Sequence, residues 1–123
     1  MATLADRVFD NGLTVLDTEA NRLDICSTAP TTYTEATSTY TLGNKTSLSI
    51  GAPADRSGGG REVTVASFSD GSITANGTAT HFAIVDTVNS RLLATGSLSA
   101  SQVVTSGNTF SLASFKIGIP APA

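Results

Sequence analysis

Along most of the chain, apolar and polar residues alternate in short runs, and the gaps between runs hold turn-forming residues. Arg22-Leu23-Asp24-Ile25-Cys26-Ser27 has a period of two, which predicts a strand with Leu23 and Ile25 on one face. From Lys45 onward the pattern is strands and turns. Leu48 and Ile50 alternate, Pro53 to Gly60 reads as a loop, and Glu62 to Phe68 reads as a strand with Val63 and Val65 inward. Asp70-Gly71 predicts a tight turn, and Asn76-Gly77 a type I′ turn, because both residues tolerate positive φ. Thr80 to Asp86 carries Phe82 and Ile84 on one face and His81, Ala83 and Val85 on the other. Two covered faces place that strand centrally in a sheet. Arg91 to Thr95 returns after a turn, and Gln102-Val103-Val104 and Thr109 to Leu112 flank Ser106-Gly107-Asn108. After Leu112 the apolar phase moves from 110 and 112 to 115, 117 and 119. That shift predicts a bulge or bend near Ala113-Ser114, where a strand turns a corner.

The first 43 residues read differently. Leu4, Val8 and Phe9 have helical spacing, but Asn11-Gly12 is expected to stop any helix there, and 17–21 reads as a polar connection. Thr32-Tyr33-Thr34-Glu35 has the form of a capping box, in which each end residue's side chain bonds the other's amide. It predicts a short helix from about Tyr33 to Leu42, ended by Gly43, with Tyr33, Ala36, Thr37 and Tyr40 on one face. The expected fold is mainly β: a single antiparallel β-sandwich or jelly-roll-like domain with an N-terminal extension and one short helix. Residues 1–43 are the arm, strand and short helix packed on the domain, and residues 44–123 are the sandwich.

Composition narrows what such a domain can do. Aromatics are only 6% of the 123 residues and Trp is absent, so the core is expected to be Val, Ile, Leu and Ala with five Phe. Charged residues make up 14%, against about 25% in an average soluble protein. Ser and Thr fill the gap at more than a quarter of the chain. A surface of short hydroxyls costs little rotamer entropy to order, which suits a protein docked to neighbours. The net charge is −3, with Lys and Arg scattered, so nucleic acid is not an expected partner. No apolar run approaches the length of a membrane span, and the N-terminus lacks the basic start and apolar stretch of a signal peptide. The expectation is synthesis and retention on the cytosolic side unless an assembly carries the protein out.

Residues that could carry chemistry are few. Nucleophilic catalysis needs a base beside the nucleophile, and His81 is the one His. It reads as a packed or interface residue. The single Cys26 excludes an intrachain disulfide and reads as a buried, inert thiol. Asp17, Glu19 and Asn21 resemble the start of a calcium loop, but Arg22 stands where Gly is needed and Thr28 where a bidentate carboxylate is needed. Arg56-Ser57-Gly58-Gly59-Gly60-Arg61 lacks the ending of a phosphate-binding loop. It reads as a mobile hairpin tip, or alternatively as an adaptable arm whose two guanidiniums pair with acids on a neighbour. Asn44-Lys45-Thr46 and Asn76-Gly77-Thr78 match the glycosylation pattern by chance, given no secretion signal. No catalytic, cofactor-binding or metal-binding residue is assigned, and the chain is not expected to be an enzyme.

Two sets of segments carry a resemblance. Phe9-Asp10-Asn11-Gly12-Leu13, Asp24-Ile25-Cys26-Ser27 and Pro30 to Thr37 form the first. Ala79 to Asp86, Arg91 to Leu98 and Val103 to Phe110 form the second. Together they resemble small β-rich structural proteins of tailed bacteriophages. The resemblance implies a capsid decoration (cement) protein on the virion surface that bridges major capsid subunits, with the major capsid protein and copies of itself as partners, as a homotrimer. A small tail or fibre module that binds a receptor or glycan is the alternative. No functional residues carry over, since such proteins act through surfaces. The first 43 residues are then expected to be the arm that meets the shell.

Overall fold

The structure, a computed structural model, describes residues 4–120. Its elements in chain order are α1 (Asp6–Glu19), β1 (Arg22–Cys26), a π-helical turn (Glu35–Thr39), β2 (Thr41–Thr46), β3 (Ala54–Asp55), β4 (Arg61–Val65), β5 (Phe68–Ile73), β6 (Gly77–Asp86), β7 (Arg91–Val104), β8 (Thr109–Leu112) and β9 (Phe115–Ile119). The fold is mainly β, as the alternation predicts, with two antiparallel sheets.

The chain from β5 to β8 is one long antiparallel ribbon. β6 pairs with β7 around the turn at 87–90, β5 pairs with β8, and β4 pairs with β9. Between the paired strands, Ile73 N–H donates to the Asn108 carbonyl, the Ile73 carbonyl accepts from Gly107 N–H, and Ser106 N–H donates to Asn76 Oδ1 at 2.8 Å. The two halves of this ribbon flank the β1–β2 pair, giving a six-stranded sheet in the order β7-β6-β1-β2-β5-β8. A three-stranded sheet has the order β3-β4-β9.

By compactness the chain divides into two units. One comprises the chain up to Glu19, Ser49–Ser67 and the chain from Ala113; the other comprises Ala20–Leu48 and Phe68–Leu112. The expected boundary at Gly43 falls instead inside β2. In the first unit, α1 lies against β4 and buries Phe9, Leu13 and Leu16, while Val63 and Val65 are buried from β4. In the second, Leu23, Asp24, Ile25 and Cys26 are all buried, so both faces of β1 are covered. Ala83, Val85 and Cys26 cluster with Ala36 of the π-helical turn, against Tyr33, Tyr40 and Leu92.

Several local expectations are corrected. The helix does not stop at Asn11-Gly12 but runs on to Glu19. Phe9, Leu13 and Leu16, at positions i, i+4 and i+7, form one buried stripe, and that burial outweighs the roughly 1 kcal/mol that a helical Gly costs. The capping box forms by half: Thr32 Oγ1 accepts the Glu35 N–H at 3.1 Å, but the Glu35 carboxylate bonds the amide and hydroxyl of Thr31, each at 2.8 Å. The helix is also shorter than expected. It closes with Tyr40 N–H donating to the Glu35 carbonyl, and Leu42 and Gly43 belong to β2.

Gly43 is therefore no helix cap. It pairs with Ile25 on one side and Ile73 on the other, and a Cβ there would overlap the backbone carbonyl of Ser72. Glycine is required so that β2 and β5 can approach. Asp70-Gly71 is not a turn; it lies in β5, where one extra residue between Phe68 and Gly71 makes a bulge. Neither Asn76 nor Gly77 has positive φ, so no type I′ turn forms. Leu48 lies outside any strand, and Ile50 makes a single bridge to Val65. The strand breaks at Ala113-Ser114: β8 belongs to the six-stranded sheet and β9 to the three-stranded one.

The Gly43→Ala variant is expected to lose about 2–3 kcal/mol of unfolding free energy, because the obstructing group is backbone rather than a mobile side chain. Urea denaturation would measure it, and a loss below about 0.5 kcal/mol would contradict the close approach.

Candidate functional site

His81 is half-buried on β6. Its Nδ1 lies 2.8 Å from Thr80 Oγ1, and that hydroxyl donates to the Ser27 carbonyl at 2.9 Å. With its proton given to Ser27, Thr80 accepts from Nδ1–H, which sets the tautomer. The pair is therefore a structural relay across to the chain after β1 and not a nucleophile with its base.

Cys26 is fully buried, with its Sγ 3.6 Å from the Ala36 carbonyl. Burial, with a smaller contribution from the Asp24 charge, pushes the thiol up to about 12. The thiolate that reacts with oxidants or binds metals is thus disfavoured. Asp17 and Glu19 lie on the last turn of α1 and Arg22 opens β1, so these residues form no ion-wrapping loop. Among the described residues no group of three or more His, Cys, Asp or Glu could hold a metal ion.

The buried acids are committed inside the fold. Asp24 takes a two-pronged bond from Arg22, at 2.7 and 2.8 Å, and a third from Thr41 Oγ1 at 2.6 Å. Asp86 ends β6 and holds the hairpin turn, accepting from Asn89 Nδ2 and from the amides of Val88 and Asn89. Those bonds, led by the Asn89 side chain, hold its carboxyl below the usual carboxylate range, as does the nearby Arg91 charge.

The arginine-flanked glycine loop is where the alternative reading of an adaptable arm fails. It is the tip of the β3–β4 hairpin, with Gly58, Gly59 and Gly60 all at positive φ. Arg56 donates to the loop's own Gly59 carbonyl at 3.0 Å. Arg61 reaches Asp10 at 2.9 Å and Asp55 at 2.6 Å, with Asp6 at 3.8 Å, tying α1 to the hairpin. Both guanidiniums are used within the chain. Lys45 pairs with Asp70 and stands 5.9 Å over the Phe68 ring, and Lys116 pairs with Glu62.

What remains on the surface is of another kind. Val8 and Val15 on α1 are 55% and 38% exposed, and Leu4, just before the helix, is 49% exposed. Val8 and Val15 are two turns apart and share a face that Phe9, Leu13 and Leu16 do not use. The sequence contained this stripe, but it becomes legible only when the helix continues past Asn11-Gly12. Among the described residues no helix is long and apolar enough to cross a membrane.

Comparison with protein-family models, with characterised proteins and with solved structures found no match.

Two titrations follow. The Cys26 thiol is raised in the folded state above its ordinary value of 9.0, so the unfolded chain ionises first as pH rises. Stability is expected to fall between pH 9 and about 12, and the Cys26→Ala variant should lack that component of the slope. Asp86 is lowered, so its contribution is full at neutral pH and is lost as pH falls through and below the ordinary carboxylate range. Thermal melts of the Asp86→Asn variant should show a shallower acid decline; an unchanged decline would exclude Asp86 as a contributor.

Proposed function

We propose that this protein is a non-enzymatic structural component of a tailed-phage virion. The specific assignment is a capsid decoration protein that stabilises the head by bridging major capsid subunits. The segments resembling phage structural proteins support the virion assignment. One structural observation carries the mode of action. Asp24, His81 and the two arginines of the glycine loop are taken up in bonds within the chain, while the surface keeps hydroxyls and an apolar helical stripe. Such a surface binds through many weak contacts over a broad face. On a lattice that presents the same site repeatedly, those contacts add by mass action and effective concentration. The protein stabilises whatever it binds only in the assembled state, which is what a shell under internal pressure requires.

The attachment arm expected over the first 43 residues takes a different form. Residues 6–19 are a helix whose Phe9, Leu13 and Leu16 build the core of their own unit, so truncating them removes fold as well as any contact.

Purified virions should contain the chain in a copy number comparable to that of the major capsid protein. Heads assembled without it should release their genome at a lower temperature, and adding back the purified protein should restore the release temperature. Virions lacking the chain, or heads equally heat-resistant without it, would exclude decoration. Immunogold label confined to the tail tip would instead assign it to a tail or fibre module.

A further inference from the structure

Each of the two units has a sheet of its own. The strands β3, β4 and β9 lie in the first unit, and all six strands of the larger sheet lie in the second. Neither ladder borrows a strand from the other, so one can break while the other stays whole. The backbone bonds from Gly51 to Thr64 and from Ala66 to Ser49 also stay within the first unit.

The first unit has the thinner core. Its buried apolar side chains, Phe9, Leu13, Leu16, Val63 and Val65, come from α1 and β4, while β3 and β9 bury none fully. In the second unit the buried side chains come from β1, β2, β5, β6 and the π-helical turn.

α1 leans on that thin core because it has little helical preference of its own. Asn11-Gly12 stands at its middle, and Val8, Thr14, Val15 and Thr18 are β-branched. The Thr14 and Thr18 hydroxyls donate to the carbonyls of Asp10 and Thr14 at 2.6 and 2.9 Å, a back-bonding that weakens a helix. Asp17 lies in the last turn, at the negative end of the dipole, with no basic residue beside it there. Such a segment stays helical only while its stripe is buried. Arg61 fastens it, since this one cation takes Asp6 and Asp10 of α1 together with Asp55 of β3. Without the guanidinium, three like charges would be left close together.

From these features we infer that the first unit opens by itself, with Arg61 as its latch. α1 and β9 leave β4 while the six-stranded sheet keeps its pairing, as in the separately opening parts of other small domains. Opening bares Phe9, Leu13, Leu16, Val63 and Val65 together. The chain thus has a second form, with an apolar surface that the closed form hides. None of this depends on the virion assignment.

Native-state hydrogen exchange of the full chain, read by NMR at single amides, tests it. The protected amides of α1, β4 and β9 should share one level of protection, at least about a hundred-fold below that of β1 and β6. Cys26 packs with Ala36, Ala83 and Val85 in the second unit. The Cys26→Ala variant should lower protection in β1 and β6 by about ten-fold and leave α1, β4 and β9 unchanged, because the open form keeps that cluster intact. Leu92→Ala, against the same cluster, gives the same reading if the change at Cys26 is too small to resolve. Arg61→Gln should lower protection in α1, β4 and β9 by about ten-fold or more. Equal protection in both units overturns the inference. So does a first unit that loses protection in step with the second on Cys26→Ala or Leu92→Ala, or one indifferent to Arg61→Gln.

Discussion

A carboxylate with no access to water sits at the middle of the larger sheet, and much of the second unit is arranged to accommodate it. Asp24 lies on β1, covered on both faces, where an unpaired charge would cost several kcal/mol. Its three bonds come from Arg22 on the same strand and Thr41 at the start of β2. Thr41 is available only when β1 and β2 lie in one register and when the chain between them closes in a turn that ends just before it. The π-helical turn over Glu35–Thr39 does this, and it also lays Ala36, Tyr33 and Tyr40 over the same face. The Thr41 bond thus adds to the β1–β2 pairing, and that pair is flanked by β6 and β5 in the sheet.

Around that pair the long ribbon folds back on itself. Its middle opens so that one half extends the sheet beyond β2 and the other beyond β1. The device that makes this possible is local and modest: a missing Cβ at Gly43 on one side, and a bulge in β5 near Asp70. β7, at one edge of the sheet, carries register breaks of its own opposite Thr80 and near Leu93, which blunt that edge against further strand addition.

Electrostatics and function meet in how little charge is left over. Arg22, Lys45, Arg61 and Lys116 are each held by an acid of the same chain, and Arg56 by its own loop. With only 14% charged residues and a net charge of −3, the chain offers weak long-range steering. In the proposed structural role, affinity would come from shape, hydroxyls and the outward stripe of α1, the mode suited to arrays of identical sites.

The fold class was legible in the chain because strand periodicity is a short-range signal. Arg22–Cys26, Phe82 with Ile84, and the phase slip after Leu112 each depend on neighbours within a few residues. The burial of Cys26 was likewise visible in the local pattern. Residues whose role is set by a distant partner were misread. Asn11-Gly12 looks like a helix stop until the burial of Leu13 and Leu16 is known, and Gly43 looks like a helix cap until Ser72 of β5 is seen against it. Arg61 looks free until Asp10, fifty-one positions away, is found on its guanidinium. Sequence alone decided which segments alternate and that Cys26 has no second cysteine to pair with, since both follow from residue identity. The meeting of ribbon halves around β1 and β2, the length of α1 and its second stripe were decided only by tertiary packing, because burial energy there outweighs the local preference of the backbone.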